Sequence, residues 1–210
     1  MQSTLSFADF EALITDRLKG DLPGRAAQGK MASTYYKGWP VPRSTTRHGA
    51  VLLLFYPDEQ GAINFPVILR PKYDGVHSGQ ISFPGGKVDP SDRDVIHTAL
   101  REAWEEIKAP FEEINIVGQL SEVYVLVSDI QVVPVVGTLP YKPEFVPDAR
   151  EVENILEIKL EQISNRQIIE QGKIPIRGGY ITAPFYNYNG LQIWGATAMM
   201  ISEMIAIIEG

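Results

Sequence analysis

The segment Gly85–Ile107, GGKVDPSDRDVIHTALREAWEEI, constrains this chain more than any other. At about 100° per residue, Ile96, Ala99, Leu100, Ala103, Trp104 and Ile107 make one stripe, centred nearly opposite Glu102, Glu105 and Glu106. The pattern predicts a helix over 90–108 that buries one face and presents three carboxylates on the other. Asp89 is its expected N-cap and Pro90 its first residue, with Asp92 in the favourable first turn and Pro110 as the stop. Residues three and four apart are surface neighbours, so the carboxylates repel by about 0.2–0.5 kcal/mol per pair. They also sit in the second half of the helix, where the macrodipole disfavours anions. Arg101, one turn before Glu105, braces part of this charge. A hard divalent cation that prefers oxygen ligands would supply the rest.

A solvated acidic face is the commoner outcome for a charge run of this kind. The upstream Gly85-Gly86 pair shifts the balance, because two glycines let the backbone turn sharply and approach the carboxylates closely. Loop and helix together can build a metal site and aim it at a bound phosphate. The Gly-Gly-Lys here lacks the glycine and hydroxyl spacing of a P-loop.

Composition bounds the partners. The chain has 210 residues, 44% of them hydrophobic, which suffices for one sizeable core, and one domain over 1–210 is the expectation. Its net charge is −7 and it has no basic block, which argues against a nucleic acid partner held by phosphate neutralisation. The absence of cysteine excludes disulfides, thiolate nucleophiles and zinc–cysteine sites. The first twenty residues lack the basic start and apolar stretch of a signal peptide, and no apolar run approaches the roughly 18 residues of a membrane span. A cytoplasmic protein with no membrane partner is expected. A homodimer is the base-rate expectation for a soluble oligomer.

The remaining pattern predicts an α+β fold with a mixed sheet flanked by helices. Phe7–Leu18 has helical spacing, ended by Gly20 and Pro23. Residues 26–47 read as an extended lead-in, so 1–45 forms an N-terminal helix and lead-in and 46–210 the catalytic core. Ala50–Tyr56 and Asn64–Arg70 read as paired strands, with Pro66 placing the start of the second at an edge. Ile114–Tyr124, Gln131–Leu139 and Tyr180–Tyr188 read as strands. Val152–Leu160 reads as a strand leading into a helix over 160–171, and Trp194–Ile208 as a C-terminal helix.

Gly86 and Arg101-Glu102-Ala103-Trp104-Glu105-Glu106-Ile107 resemble the Nudix box, G-x5-E-x7-R-E-U-x-E-E-x-G-U, where U is apolar. Asp92 stands near the position of the first glutamate, one residue further from Arg101 than in the general box, and Lys108 replaces the last glycine. Asp89 and Asp92 in G-G-x-x-D-x-x-D are similar to the coenzyme A pyrophosphatase subgroup. So is Leu69–Gly86, in which Arg70, Gly79 and Phe83-Pro84-Gly85-Gly86 match in register, while Pro71 and Gly75 replace a small residue and a second arginine. Ser128, Val133–Gly137 and Ile193–Ala198 also look like the subgroup, so the resemblance runs from about residue 50 to 205.

The resemblance implies a Nudix-like α/β/α sandwich and Mg2+- or Mn2+-dependent hydrolysis of a phosphoric anhydride in a small nucleotide. For the subgroup the substrate is coenzyme A or a thioester, cut to adenosine 3′,5′-bisphosphate and (acyl-)4′-phosphopantetheine. It implies Glu102 and Glu106 as leading metal ligands and Glu105 as a further ligand or the base that activates water. Arg101 would orient a glutamate, and Gly86, Arg70 and His77 would contact substrate. Another nucleoside diphosphate derivative such as ADP-ribose, or a catalytically silent nucleotide sensor, are the alternatives, the former kept open by Gly75. His97, Trp194 and the Met199, Met200, Met204 group read as structural, and Ser128-Asp129 as a turn between strands or a pocket lining.

Overall fold

The computed structural model describes residues 5–36, 38–75, 77–176 and 178–210. Strand β1 (Arg47–Pro57) is central. It is apolar throughout its middle because both of its faces are covered. Side chains alternate along it. Leu52, Leu54 and Tyr56 join one buried cluster with Ala99, Leu100, Ala103 and Ile107 of helix α3 (Val95–Ile107). Leu53 and Phe55 join a second cluster with Phe10 and Ile14 of α1 (Phe7–Arg17) and Met200 and Met204 of α5 (Gly195–Glu209). A sheet between helices follows from that alternation.

The sheet is mixed. β1 runs parallel to β7 (Ile130–Thr138), from Arg47↔Ile130 to Phe55↔Thr138. β5 (Asn115–Gln119) and β6 (Val123–Val125) pair antiparallel to β7. β4 (Gly85–Lys87) pairs antiparallel to the start of β1, as Gly49↔Lys87, Ala50↔Gly86 and Val51↔Gly85. β2 (Ile63–Leu69) folds back on β1 only at Tyr56↔Asn64 and Pro57↔Ile63. It then pairs along its length with β8 (Asn154–Lys159) and at its end with β3 (Ile81–Ser82). Pro66 lies between the β1 and β3 contacts, a stretch where an absent N–H costs no ladder bond on that edge.

A second, three-stranded antiparallel sheet holds β9 (Ile169–Ile176), β10 (Gly179–Tyr188) and β11 (Leu191–Trp194) around Ile174, Ile181, Ala183 and Phe185. Here the sequence reading is corrected. The helix expected over 160–171 is only α4 (Leu160–Ile163), and β9 begins where its second half was expected. β11 was not read at all, although Asn189-Gly190, with φ of 52° and 85°, is the hairpin signal that announces it.

Two further corrections concern segments near the site. The helix expected from 90 starts at Val95, because Asp94 rather than Asp89 accepts the His97 N–H at 2.8 Å. Asp89 instead caps a tight turn, accepting from the Ser91 N–H and hydroxyl. The lead-in expected over 26–47 is partly helical, with α2 (Gly24–Gln28) and two 3-10 turns. Glu203 of α5, fully buried, accepts from Gly24 N, Gln28 Nε2 and Ser121 N and stitches that segment to the body. Among the described residues no helix is long and apolar enough to cross a membrane.

Candidate active site

The site forms where β4 passes over the outer face of α3. Gly85 has φ of 154°, and a Cβ there would meet Ala50 O at 2.3 Å and Val51 Cα at 2.6 Å, so the ladder to β1 closes only around glycine. Gly86 is needed for a different reason. A Cβ there would lie 2.4 Å from Glu102 Oε2, in the space that the carboxylate fills. The two glycines thus bring backbone onto carboxylate, as their position in the sequence suggests.

Glu106 is the most buried of the three helix glutamates, with a side chain 2% exposed. Its Oε2 accepts from Gly85 N at 2.8 Å, and Arg70 Nη2 stands 3.9 Å from Oε1. Burial pushes its carboxyl from the ordinary 4.5 up to about 7, against the pull of Arg70 and the Gly85 N–H and helped by Glu102 and Glu151. Glu102, 15% exposed, is also raised, first by burial. Glu105 is 56% exposed. The charged forms of Glu102 and Glu106 are therefore short of counter-charge, more so at Glu106.

Arg101 holds the other acids. Its Nη1 donates to Glu102 Oε1 at 2.9 Å and to Glu105 Oε2 at 3.2 Å. Its Nε and Nη2 donate to the two oxygens of Asp92, at 2.8 and 2.9 Å, and Nη2 also reaches Lys87 O. Asp92 lies at shallow depth yet fully covered, and also accepts from His97 and Thr98. Its carboxyl is held far below the usual range, first by Arg101. His97 is thus structural, with its ring edge against Phe111.

The extra residue between Asp92 and Arg101 is absorbed by the turn ahead of α3, which still delivers the carboxylate to the guanidinium. Lys108 caps the helix at φ 55°, the left-handed conformation that glycine adopts without cost, and its ammonium lies 5.2 Å from the centre of the Trp104 ring.

These side chains open into a cleft of about 980 Å³, which Arg70, His77, Gly86, Glu102, Glu105 and Glu106 all line. Arg70 Nε donates to Ser82 Oγ at 3.1 Å, which aims its guanidinium between Ser82 and Glu106. His77, at φ 68°, pairs its Nδ1 with Gln80 Oε1 at 3.0 Å. At Gly75, a Cβ would meet the Tyr73 ring at 2.5 Å, so that ring takes the room a larger side chain would need. Ser128 and Trp194 line the cleft, whereas Asp129 turns to Thr46 and Tyr124.

Glu151, Arg47 and Lys87 also line the cleft, and no sequence pattern singles them out. Glu151 adds a carboxylate to the three of α3 and raises Glu102 and Glu106. Its segment is pinned to the end of α3 by Asp148 N to Glu106 O and Val146 N to Ile107 O, long-range bonds with no local signature. Arg47 and Lys87 line the cleft from β1 and β4.

As the side chains stand, Arg101 lies between Glu102 and Glu105, and among the described residues no three acidic or imidazole groups close on one point. The donor set nevertheless fits a hard divalent cation: carboxylate oxygens, one buried acid with too little counter-charge, and a glycine that leaves Glu102 room.

The family model of the NUDIX domain matches residues 46–173. An uncharacterized Nudix hydrolase, NudL, of Photorhabdus laumondii is 33% identical over 183 residues, 81% of this chain and 91% of that one. The human mitochondrial coenzyme A diphosphatase NUDT8 is 38% identical over 142 residues, 64% of this chain and 58% of its own. Among solved structures, a MutT/nudix family protein from Enterococcus faecalis aligns with 99% of this chain and 76% of its own, at a TM-score of 0.52 and 12% identity, a likeness of fold alone.

Proposed function

The chain belongs to the Nudix family and is a pyrophosphohydrolase, and from that premise we propose that its substrate is coenzyme A or a coenzyme A thioester. The single observation that carries the reading is the juxtaposition of Glu102 and Glu106 with the Gly85-Gly86 backbone, in the lining of a cleft large enough for an extended nucleotide. The Phe83–Gly86 register and the human coenzyme A diphosphatase relative support the finer choice of substrate.

Nudix hydrolases use divalent ions, and here Glu102 and Glu106 would hold one, with Glu105 or Glu151 beside them. Bound there, such an ion would supply charge neutralisation for the pyrophosphate oxygens and a lowered pKa for water. The chain itself does the rest. Arg101, anchored on Asp92, keeps Glu102 and Glu105 apart and aimed at the cleft. Glu105, whose exposure supports the role, would accept the proton of the attacking water or serve as a further ligand. Arg70 offers a guanidinium to the substrate phosphate beside Glu106. The water oxygen bonds to phosphorus, the bridging P–O bond breaks, and its electron pair leaves with the other phosphate.

The test is a substrate panel with Mg2+ or Mn2+: coenzyme A, acetyl-coenzyme A, ADP-ribose, NADH and nucleoside triphosphates, with products identified by mass. Release of 4′-phosphopantetheine is the expected outcome. Turnover of ADP-ribose alone would refute the choice of substrate, and binding without turnover of any member would point to a sensor.

A further inference from the structure

Coenzyme A differs from most nucleoside diphosphate derivatives by a phosphate monoester on the 3′ oxygen of its ribose. That group carries nearly two negative charges at neutral pH, and an acidic cleft would repel it unless cations are set apart for it. Arg70 lies beside Glu106, and Arg101 is committed to three carboxylates. Two cleft cations, Arg47 and Lys87, are outside any ion pair among the described residues.

The sheet places them together. Lys87 is paired with Gly49, and Arg47 lies two residues before Gly49 on the same strand. Alternation puts Arg47, Gly49 and Val51 on one face of β1, and directly opposed residues of an antiparallel pair share a face. Arg47, Val51 and Lys87 all line the cleft, which confirms that this face is the one that fronts it. From strand rise and spacing their Cα atoms are about 8 Å apart, within reach of one phosphate for two long side chains. Gly49 adds no side chain between them, and Ile130 Cδ1 and Gly86 O fill the space over it, since a Cβ there would meet them at 2.8 and 2.5 Å. Both are exposed. Lys87 also follows Gly86, against which Glu102 packs, so the pair stands next to the carboxylates without mixing with them.

Arg47 is held in place. Its Nη2 donates to the carbonyl of Ser128, and its own N–H donates to Asp129 O. The rest of its guanidinium fork stays available for the paired hydrogen bonds that suit phosphate oxygens. Asp129, which feels the charge of Arg47, accepts from Thr46 and Tyr124.

We propose that Arg47, assisted by Lys87, forms a phosphate-monoester subsite that selects substrates bearing a 3′-phosphate over those without one. The inference rests on the coenzyme A reading above and names two residues for its specificity.

The experiment measures kcat and KM for coenzyme A and for dephospho-coenzyme A, with wild type, Arg47→Ala, Arg47→Lys and Lys87→Ala. Wild type should prefer coenzyme A. Loss of one charge-assisted contact in Arg47→Ala should lower the ratio of the two kcat/KM values about 10-fold, through KM for coenzyme A. Arg47→Lys should recover part of that ratio, and Lys87→Ala should lower it by a smaller factor. A merely structural role for Arg47 would reduce both rates alike and leave the ratio unchanged, which would overturn the subsite. Equal turnover of both substrates by wild type would also overturn it while leaving the coenzyme A reading intact. Hydrolysis of ADP-ribose alone would overturn both.

Discussion

Asp92 and Glu106 are two covered carboxylates at opposite ends of the same loop–helix unit, with side chains 0% and 2% exposed. Asp92 receives two bonds from Arg101 and others from His97, Thr98 and Asp89 N, and its carboxyl falls far below its ordinary 3.8. Glu106 receives one backbone N–H and a guanidinium at 3.9 Å, and rises to about 7. The difference lies in what surrounds each acid, since both are hidden from water. One carboxylate is fully used in holding the scaffold. The other is buried with its charge unmet, which is how a protein stores affinity for a cation.

The comparison breaks most visibly at Glu106. Glu106→Gln keeps the shape and the Gly85 contact but removes the charge, and turnover should fall at least about 100-fold, since metal-based charge stabilisation is worth several kcal/mol. Steady-state rates with a melting curve check this, and wild-type rates would contradict the ligand role. At Asp92 the loss should appear in folding. Asp92→Asn should cost about 2 kcal/mol, the worth of a hydrogen-bonded charge, measured by denaturant unfolding at neutral pH. A group whose folded pKa is depressed contributes stability above its unfolded pKa and loses it as pH falls. The gap between wild type and Asp92→Asn should therefore hold down to about pH 4 and close below it.

The adjacent glycines sharpen the contrast with a smaller effect. The Cβ of Gly86→Ala would press on the movable end of Glu102, so turnover should drop about 10-fold with little change in melting temperature. Gly85→Ala would press on the backbone of β1 and should lose stability instead. Equal effects from both variants would mean that the two glycines do one job.

Local patterning made the scaffold readable. The apolar stripe of α3, the run in β1, the N-terminal helix and the C-terminal helix stand where 3.6-residue periodicity or a continuous apolar run put them, except that Trp104, expected in the buried stripe, is 48% exposed. Glu102, Glu105 and Glu106 share a cleft with Arg70, His77 and Gly86. What was not legible depended on distance along the chain. Asp92 looked like a first-turn residue because Asp89-Pro90 mimics a helix start, whereas its partner Arg101 decides its place. Glu151 reaches the cleft through hydrogen bonds to the end of α3, and Arg47 through a register with β4 that no local pattern encodes. β11 is the exception, since its Asn-Gly turn was visible and went unused.

The unmet charge on Glu106 can be read directly from protons. A group whose folded pKa is raised contributes stability below its unfolded pKa and loses it as pH rises through the folded value. Binding of a divalent ion to the carboxylate must expel the proton that the metal-free acid keeps. Calorimetric titration of the metal-free protein with Mn2+, in buffers of different ionisation enthalpy, measures that release. With a pKa of about 7, Glu106 should release most of a proton per site at pH 6.5 and almost none at pH 8.5. Binding without proton release at pH 6.5, or equal release at both pH values, would contradict the account.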